Sequence, residues 1–255
     1  MTRNEQLDFL IQRLSPAVEL PQTLGGKWQV FRALVNVREP GAIDDDFIKV
    51  QDELLQSLIA EKGIANADDF SPLREKLYVW RGDITTLKAD AIVNAANSNM
   101  LGCFVPNHLC IDNVIHTFAG VQLRNACAEI MQKQGSLEPT GRAKITPAYN
   151  LPCKYILHTV GPIIRGQVYN EDRKLLASCY RSCLELACRN AVKSIVFCCI
   201  STGEFHFPNE EAAHIAVYTV SDFLKTNNSI EKVVFNVFKE QDEHIYRTLY
   251  GKRGM

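Results

Sequence analysis

Apolar positions recur at helical spacing through the first part of the chain. Leu7, Leu10, Ile11 and Leu14 form one stripe, closed by Ser15-Pro16. Trp28, Phe31, Leu34 and Val35 form a second, stopped at Pro40-Gly41. Phe47, Val50, Leu54, Leu55 and Leu58 form a third, with Asp44 or Asp45 as its predicted N-cap and Gly63 as its predicted end. Residues 1–74 therefore read as a helical N-terminal extension, packed as an accessory layer on the rest of the chain. From residue 75 to 255 the pattern changes. Short β-branched runs at 77–80, 91–93, 143–146, 155–157, 194–197 and 232–235 alternate with helical stretches near 112–132, 171–190, 209–226 and 241–250. Such alternation predicts an α/β fold with a mostly parallel, buried sheet. In open sheets of this kind ligands sit beyond the carboxyl ends of the strands. The polar motifs of this chain follow its apolar runs, which places them at that end.

Composition narrows the classes of function. A net charge of −1 offers no broad attraction to nucleic acid or an anionic membrane, so neither is expected as a partner. No apolar run approaches the roughly 20 residues that span a bilayer. Asp8, Gln12 and Arg13 interrupt the first residues, leaving no signal-peptide core, and a cytoplasmic protein is expected. Nine cysteines then read as reduced thiols or metal ligands rather than a disulfide framework. Cys179, Cys183, Cys188, Cys198 and Cys199 fall in apolar stretches and read as small buried hydrophobes.

The chemistry concentrates after the 91–93 run. Asn94-Ala95-Ala96-Asn97 pairs two amides, each able to donate and accept, with small residues that permit close backbone approach. Cys103, His108 and Cys110 come next, and thiolate and imidazole are the ligands zinc prefers. Three protein ligands leave a coordination position open, the pattern of a catalytic zinc. The spacing C-x4-H-x-C matches no common zinc finger, and two buried thiols beside a surface histidine fit it too. Asp112 opens the next helical stretch, where it either complements the helix dipole or works as a general base beside the metal. His116, one turn on, reads as a packing residue. Asp83, just past the 77–80 run, suits either a turn cap or the exocyclic amine of a base. Ser201-Thr202-Gly203-Glu204-Phe205 forms a strand-to-helix turn able to present backbone N–H groups to a pyrophosphate. No Gly-Lys P-loop and no Gly-x-Gly-x-x-Gly is present.

In this order the motifs resemble the macrodomain family: Gly82-Asp83-Ile84-Thr85, Asn94 to Asn97, Asp112 to Gly120 with Ile115-His116 and Ala119-Gly120, Ile156-Leu157-His158-Thr159-Val160-Gly161-Pro162, and Ile200 to Phe205. The resemblance spans about residues 76–250. It implies a three-layer α/β/α macrodomain that binds ADP-ribose. Where typical hydrolytic members carry a glycine run, this chain has Cys103-Phe104-Val105-Pro106-Asn107-His108-Leu109-Cys110. That is similar to the zinc-containing microbial branch, which carries a helical N-terminal extension. This implies a Zn2+-dependent hydrolase that removes mono-ADP-ribose from modified proteins at the distal ribose. Some members of the branch are paired with a sirtuin-type transferase that modifies a lipoyl-carrier protein. A non-catalytic ADP-ribose reader and an O-acetyl-ADP-ribose deacetylase are the alternatives. Carried over by motif, Asp83 and Ile84 hold the adenine. Asn97 holds the distal ribose, with Asn94 supporting its turn, and Ser201, Thr202, Gly203, Glu204 and Phe205 wrap the diphosphate and ribose. Phe238 is placed to stack on adenine, Cys103, His108 and Cys110 are the metal ligands, and Asp112 with Asn97 forms the catalytic pair.

Overall fold

In the computed structural model, which describes residues 1–251, three helices precede the sheet: α1 (Arg3–Leu14), α2 (Leu24–Val37) and α3 (Asp45–Lys62). Each begins at a side-chain cap. Thr2 and Glu5 form a reciprocal capping box on α1, Thr23 caps α2 through the Gly26 amide, and Asp44 caps α3 through the Phe47 amide. α2 stops at Val37, short of Pro40, because a residue preceding proline is pushed out of helical geometry.

The sheet holds β1 (Ala65–Asn66), β2 (Leu77–Arg81), β3 (Leu87–Ala96), β4 (Ala143–Pro147), β5 (Cys153–Val160), β6 (Ser194–Phe197) and β7 (Lys232–Val237). Its order is β2-β7-β6-β3-β5-β4, with β1 beside the start of β3. Every pairing is parallel except that of β4 with β5. The central strands have no wet side, so Ala91, Ile92 and Val93 on β3 and Ile195, Val196 and Phe197 on β6 are all buried. This is why the sequence shows unbroken apolar runs instead of alternation. Strands β3 and β5 extend beyond their predicted runs. Polar residues such as Lys88 and Asp90 lie on the first part of β3, where the apolar signal fades although the ladder continues.

Helices α4 (Ile111–Ala119) and α5 (Val121–Gln134) pack against β3 and β4. Helices α6 (Asn170–Arg189), α7 (Asn209–Thr226) and α8 (Glu240–Gly251) follow one another, with contacts to β2, β4, β5 and β7. The result is the α/β/α layering expected from the sequence. The predicted stretch 112–132 is two helices, broken at Gly120. Its φ of +97° excludes most side chains, and a Cβ there would stand 2.6 Å from Gln122 Oε1. Both α2 and α3 lean on α4. Leu7, Phe31 and Leu54 belong to the same apolar cluster as Ile92, Ile115 and Val196, so the core runs without a break from the extension into the sheet. All nine cysteines are free thiols. No helix among the described residues is long and apolar enough to cross a membrane.

Candidate active site

At the carboxyl ends of β3 and β6 a cavity of about 790 Å³ opens, within the size range of small-molecule and cofactor sites. Residues from Asn97 to Asp112 line one wall, Ser201 to Phe205 line the other, and Asn236 and Phe238 from the end of β7 form a further lip.

The first wall carries three donor atoms together. Cys103 Sγ lies 3.5 Å from His108 Nδ1, and the ligand atoms of Cys103, His108 and Cys110 all fall within 4.8 Å of one another. Local geometry brings this about. Gly102, at φ +84°, turns the chain across His116, and a Cβ would sit 2.8 Å from that ring. Asn107 at φ +56° reverses the segment in a left-handed conformation that asparagine tolerates. Cys110 caps α4, with its Sγ accepting from the Asn113 amide. Burial pushes the Cys110 thiol up to about 12, and neighbouring Cys103 and Asp112 add to this against the Asn113 amide. A bound dication reverses such a penalty, because it deprotonates the thiols that hold it. Two sulfurs and one imidazole nitrogen form a borderline-soft donor set that fits zinc, with a coordination position left open.

Asp112 is buried beside this trio. Its Oδ1 accepts from Asn94 Nδ2 at 2.8 Å, and its Oδ2 stands 3.4 Å from Asn97 Nδ2. Burial pushes its carboxyl up to about 6, against the Asn94 hydrogen bond and the Arg124 charge. Asn97 lines the cavity and also donates to the Gly102 carbonyl at 3.0 Å. Asn94 is fully buried and does not line the cavity; it fixes Asp112 from behind. His158 Nδ1 lies 3.2 Å from Asn94, and its Nε2 lies 3.0 Å from Thr146 Oγ1. His116 Nε2 stands 3.5 Å from Asp112 Oδ1. Burial lowers both imidazoles, His158 to about 3, so both are neutral. His116, Cys127 and His158 also have metal-like spacing, but both nitrogens of His158 already face protein partners.

On the second wall, Ser201 takes φ +65°. Its carbonyl accepts from the Phe207 amide at 2.9 Å, and the Phe205 carbonyl accepts from the Ile164 amide at 2.8 Å. Gly161 makes room for the loop, since a Cβ there would meet Ser201 Oγ at 1.9 Å. That buried hydroxyl has no partner within the protein. Glu204 is exposed and reaches across the cleft to within 3.6 Å of His108 Nε2. Phe238 is 79% exposed on the lip.

Two residues expected to hold adenine, Asp83 and Ile84, are not among those that line this cavity, although Asn236, which does line it, donates to the neighbouring Gly82 carbonyl at 3.0 Å. Asp83 caps the short turn Ile84–Thr86, accepting from the Thr85 amide and hydroxyl, and Lys62 of α3 pairs with it at 2.8 Å. Burial would raise its carboxyl, but Lys62 and then Thr85 hold it below the ordinary range. Ile84 is buried, and neither residue lines the cavity. The turn-cap reading of Asp83 describes its observed contacts, because the N-terminal extension supplies the cation that occupies it. Sequence reasoning missed Asn236, Asn209 and Asp242, which line the cavity near Phe238. Asn209 Nδ2 donates to Asp242 Oδ1 at 2.5 Å. Asp242 looked like an ordinary acid in the first turn of a helix, and Asn236 lies within a strand rather than after one.

Comparison with known proteins agrees with this fold. A family model described as Macro domain matches residues 93–216. A protein of Treponema medium named "Protein-ADP-ribose hydrolase" is 56% identical over an alignment of 259 positions that covers 98% of this chain and 99% of its own. A protein of Staphylococcus aureus (strain MSSA476) with the same name is 50% identical, over 97% of this chain and 96% of its own. Among solved structures, the Trypanosoma brucei macrodomain in complex with ADP-ribose aligns with a TM-score of 0.67 at 27% identity, covering 91% of this chain and 97% of its own. The chain belongs to the macrodomain family.

Proposed function

We propose that this protein is a hydrolase that releases mono-ADP-ribose from modified proteins, with Zn2+ held by Cys103, His108 and Cys110. The observation that carries the reading is the convergence of those three donors beside Asp112 and Asn97 on one wall of a nucleotide-sized cavity. The names of the Treponema medium and Staphylococcus aureus relatives support the activity.

In this reading the Ser201–Phe205 loop binds the diphosphate, with the partnerless Ser201 hydroxyl available to it. Phe238 offers a ring face to adenine at the opposite lip. The distal ribose then lies against Asn97, whose amide holds a ribose hydroxyl. A zinc ion at the three donors would supply Lewis acidity at its open position. Asp112 takes the proton of the attacking water as that oxygen bonds to C1″. The bond from C1″ to the protein side chain breaks, the side-chain atom leaves with the electron pair, and it takes up the proton that Asp112 removed from the water, which returns Asp112 to its carboxylate. Asn94 and Asn97 hold the carboxylate of Asp112 toward this point, and the neutral histidines behind it keep the site free of a competing cation.

The test is release of ADP-ribose from a mono-ADP-ribosylated protein by wild type, chelated protein, zinc-restored protein and Cys110→Ala. Release by the wild type, loss on chelation or in Cys110→Ala, and recovery with zinc are expected. Turnover by folded, zinc-free protein at the wild-type rate would remove the metal from the reaction. Tight ADP-ribose binding without release would make the protein a reader.

A further inference from the structure

The segment that carries the three donors is gripped from outside the sheet-bearing part of the molecule. Arg32 of α2 donates from Nη2 to the His108 carbonyl at 2.5 Å and to Asn113 Oδ1 at 2.9 Å. One helical turn further on, Asn36 accepts from the Asn107 amide at 2.9 Å and donates to Thr117 Oγ1 at 3.0 Å. Arg124 of α5 fastens the other end of the segment. Its Nε donates to the Leu101 carbonyl at 2.7 Å, its Nη1 donates to the Val35 carbonyl at 3.0 Å, and its guanidinium lies 4.3 Å from the centre of the Phe104 ring. Arg32, Asn36 and Arg124 are all buried.

These contacts fall where they control ligand geometry. The Asn107 amide and the His108 carbonyl are both fixed by α2, so the backbone that launches the imidazole is held at each end. Asn113 passes the grip to the cysteines. Its Oδ1 accepts from Arg32, its Nδ2 donates to the Cys103 and Val105 carbonyls, and its amide donates to Cys110 Sγ. Arg32 Nε is buried without a partner, so placing this guanidinium on the segment costs desolvation that an apolar side chain would avoid. Metal ligands tolerate position errors of only about 0.2 Å. A segment containing a left-handed Asn107 would otherwise have to be ordered by the ion itself, at the expense of affinity.

We propose that α2 is part of the metal centre, with Arg32 and Asn36 as positioning residues that hold the 103–110 segment in ligating geometry. The proposal rests on the reading of Cys103, His108 and Cys110 as zinc ligands. It assigns the N-terminal helices a role in the site itself.

The experiment measures zinc affinity by competition with a chromophoric chelator, alongside the visible spectrum of the cobalt-loaded protein. It compares the full-length wild type, Arg32→Ala, Arg32→Lys, Asn36→Ala and Glu61→Ala. Glu61 pairs with Arg3 between α3 and α1, an exposed ion pair that does not involve the segment, and serves as the control. ADP-ribose affinity and the melting temperature of each chelated variant are read in parallel. Arg32→Ala and Asn36→Ala are expected to weaken zinc by about 10- to 100-fold, the usual effect of losing an outer partner of a metal ligand. Their cobalt bands should shift, ADP-ribose affinity should stay within about threefold, and excess zinc should restore release. Arg32→Lys should recover only part of the affinity, since the lysine side chain is one atom shorter and its ammonium falls short of the place from which Nη2 reaches both acceptors. Unchanged zinc affinity and cobalt spectrum in the folded variants would overturn the proposal. So would a joint collapse of zinc binding, ADP-ribose binding and melting temperature, because that outcome describes a general folding role. Wild type that binds no zinc would overturn the metal reading, and this proposal with it.

Discussion

At the scale of single residues, Asp112 and His158 behave as opposites. Asp112 lines the cavity, and Asp112→Asn is expected to slow ADP-ribose release by about 100-fold or more, the usual range for loss of a general base. ADP-ribose affinity should persist, and single-turnover release with a parallel binding isotherm would check both. Wild-type turnover by this variant would exclude the assigned role. His158 sits deeper, neutral, with its titration lowered to about 3 from an ordinary value of 6.5 by burial. The unfolded chain therefore binds a proton between these values that the folded chain does not. This contribution to stability is complete above about pH 6.5 and is lost as pH falls, by up to ~1.4 kcal/mol per unit. Denaturant titrations from pH 7 to 4 should show a flatter decline in His158→Gln than in wild type; parallel declines would contradict it. Cys103, His108, Cys110, Asp112 and Asn97 were legible in the sequence because they lie on one short stretch. Arg32 was not legible as a site residue, since its contact Asn113 is 81 positions away and nothing in a helical stripe marks a buried arginine as aimed at a loop. The Lys62 partner of Asp83 was not legible for a similar reason, since it belongs to a different element.

At the scale of elements, the clearest sequence signals were those with local causes. Asp44 and Gly63 bound α3 as their capping chemistry predicts. The buried strands show as apolar runs, whereas the ends of β3 and β5 carry polar residues and escaped notice. Gly120 inside a helical pattern gave no warning of the break between α4 and α5, because its left-handed φ answers to packing against Gln51 and Gln122. The loop from Ser201 to Phe205 depends on a neighbour in the same manner. Gly161→Ala would set a methyl against Ser201 Oγ, and either the loop or β5 must yield. ADP-ribose affinity is expected to fall at least about tenfold, as a shift of roughly an ångström in a binding loop typically costs. Calorimetric titration with ADP-ribose would check this, and an unchanged affinity would show that the loop does not grip the diphosphate.

At the scale of the whole molecule, the extension and the sheet share one apolar core. A chain shortened to begin at residue 75 would uncover α4 and release the 103–110 segment from Arg32 and Asn36. It is expected to bind zinc at least about 10-fold more weakly, as loss of outer partners of metal ligands does, and to melt at a lower temperature. Metal analysis and thermal unfolding of the shortened chain would check this; full zinc content at the wild-type melting temperature would argue against it. The strand order has a consequence for how the molecule is made. Leu77 of β2 pairs with Val233 of β7, and β6 joins β3 to β7. During synthesis the three N-terminal helices, rich in near-neighbour contacts, emerge long before the partners that complete the sheet. Contacts of such large sequence separation form slowly. The early part of the sheet must therefore wait at the ribosome with an open edge, and the part of the cavity lining supplied by β7 and α8 arrives last.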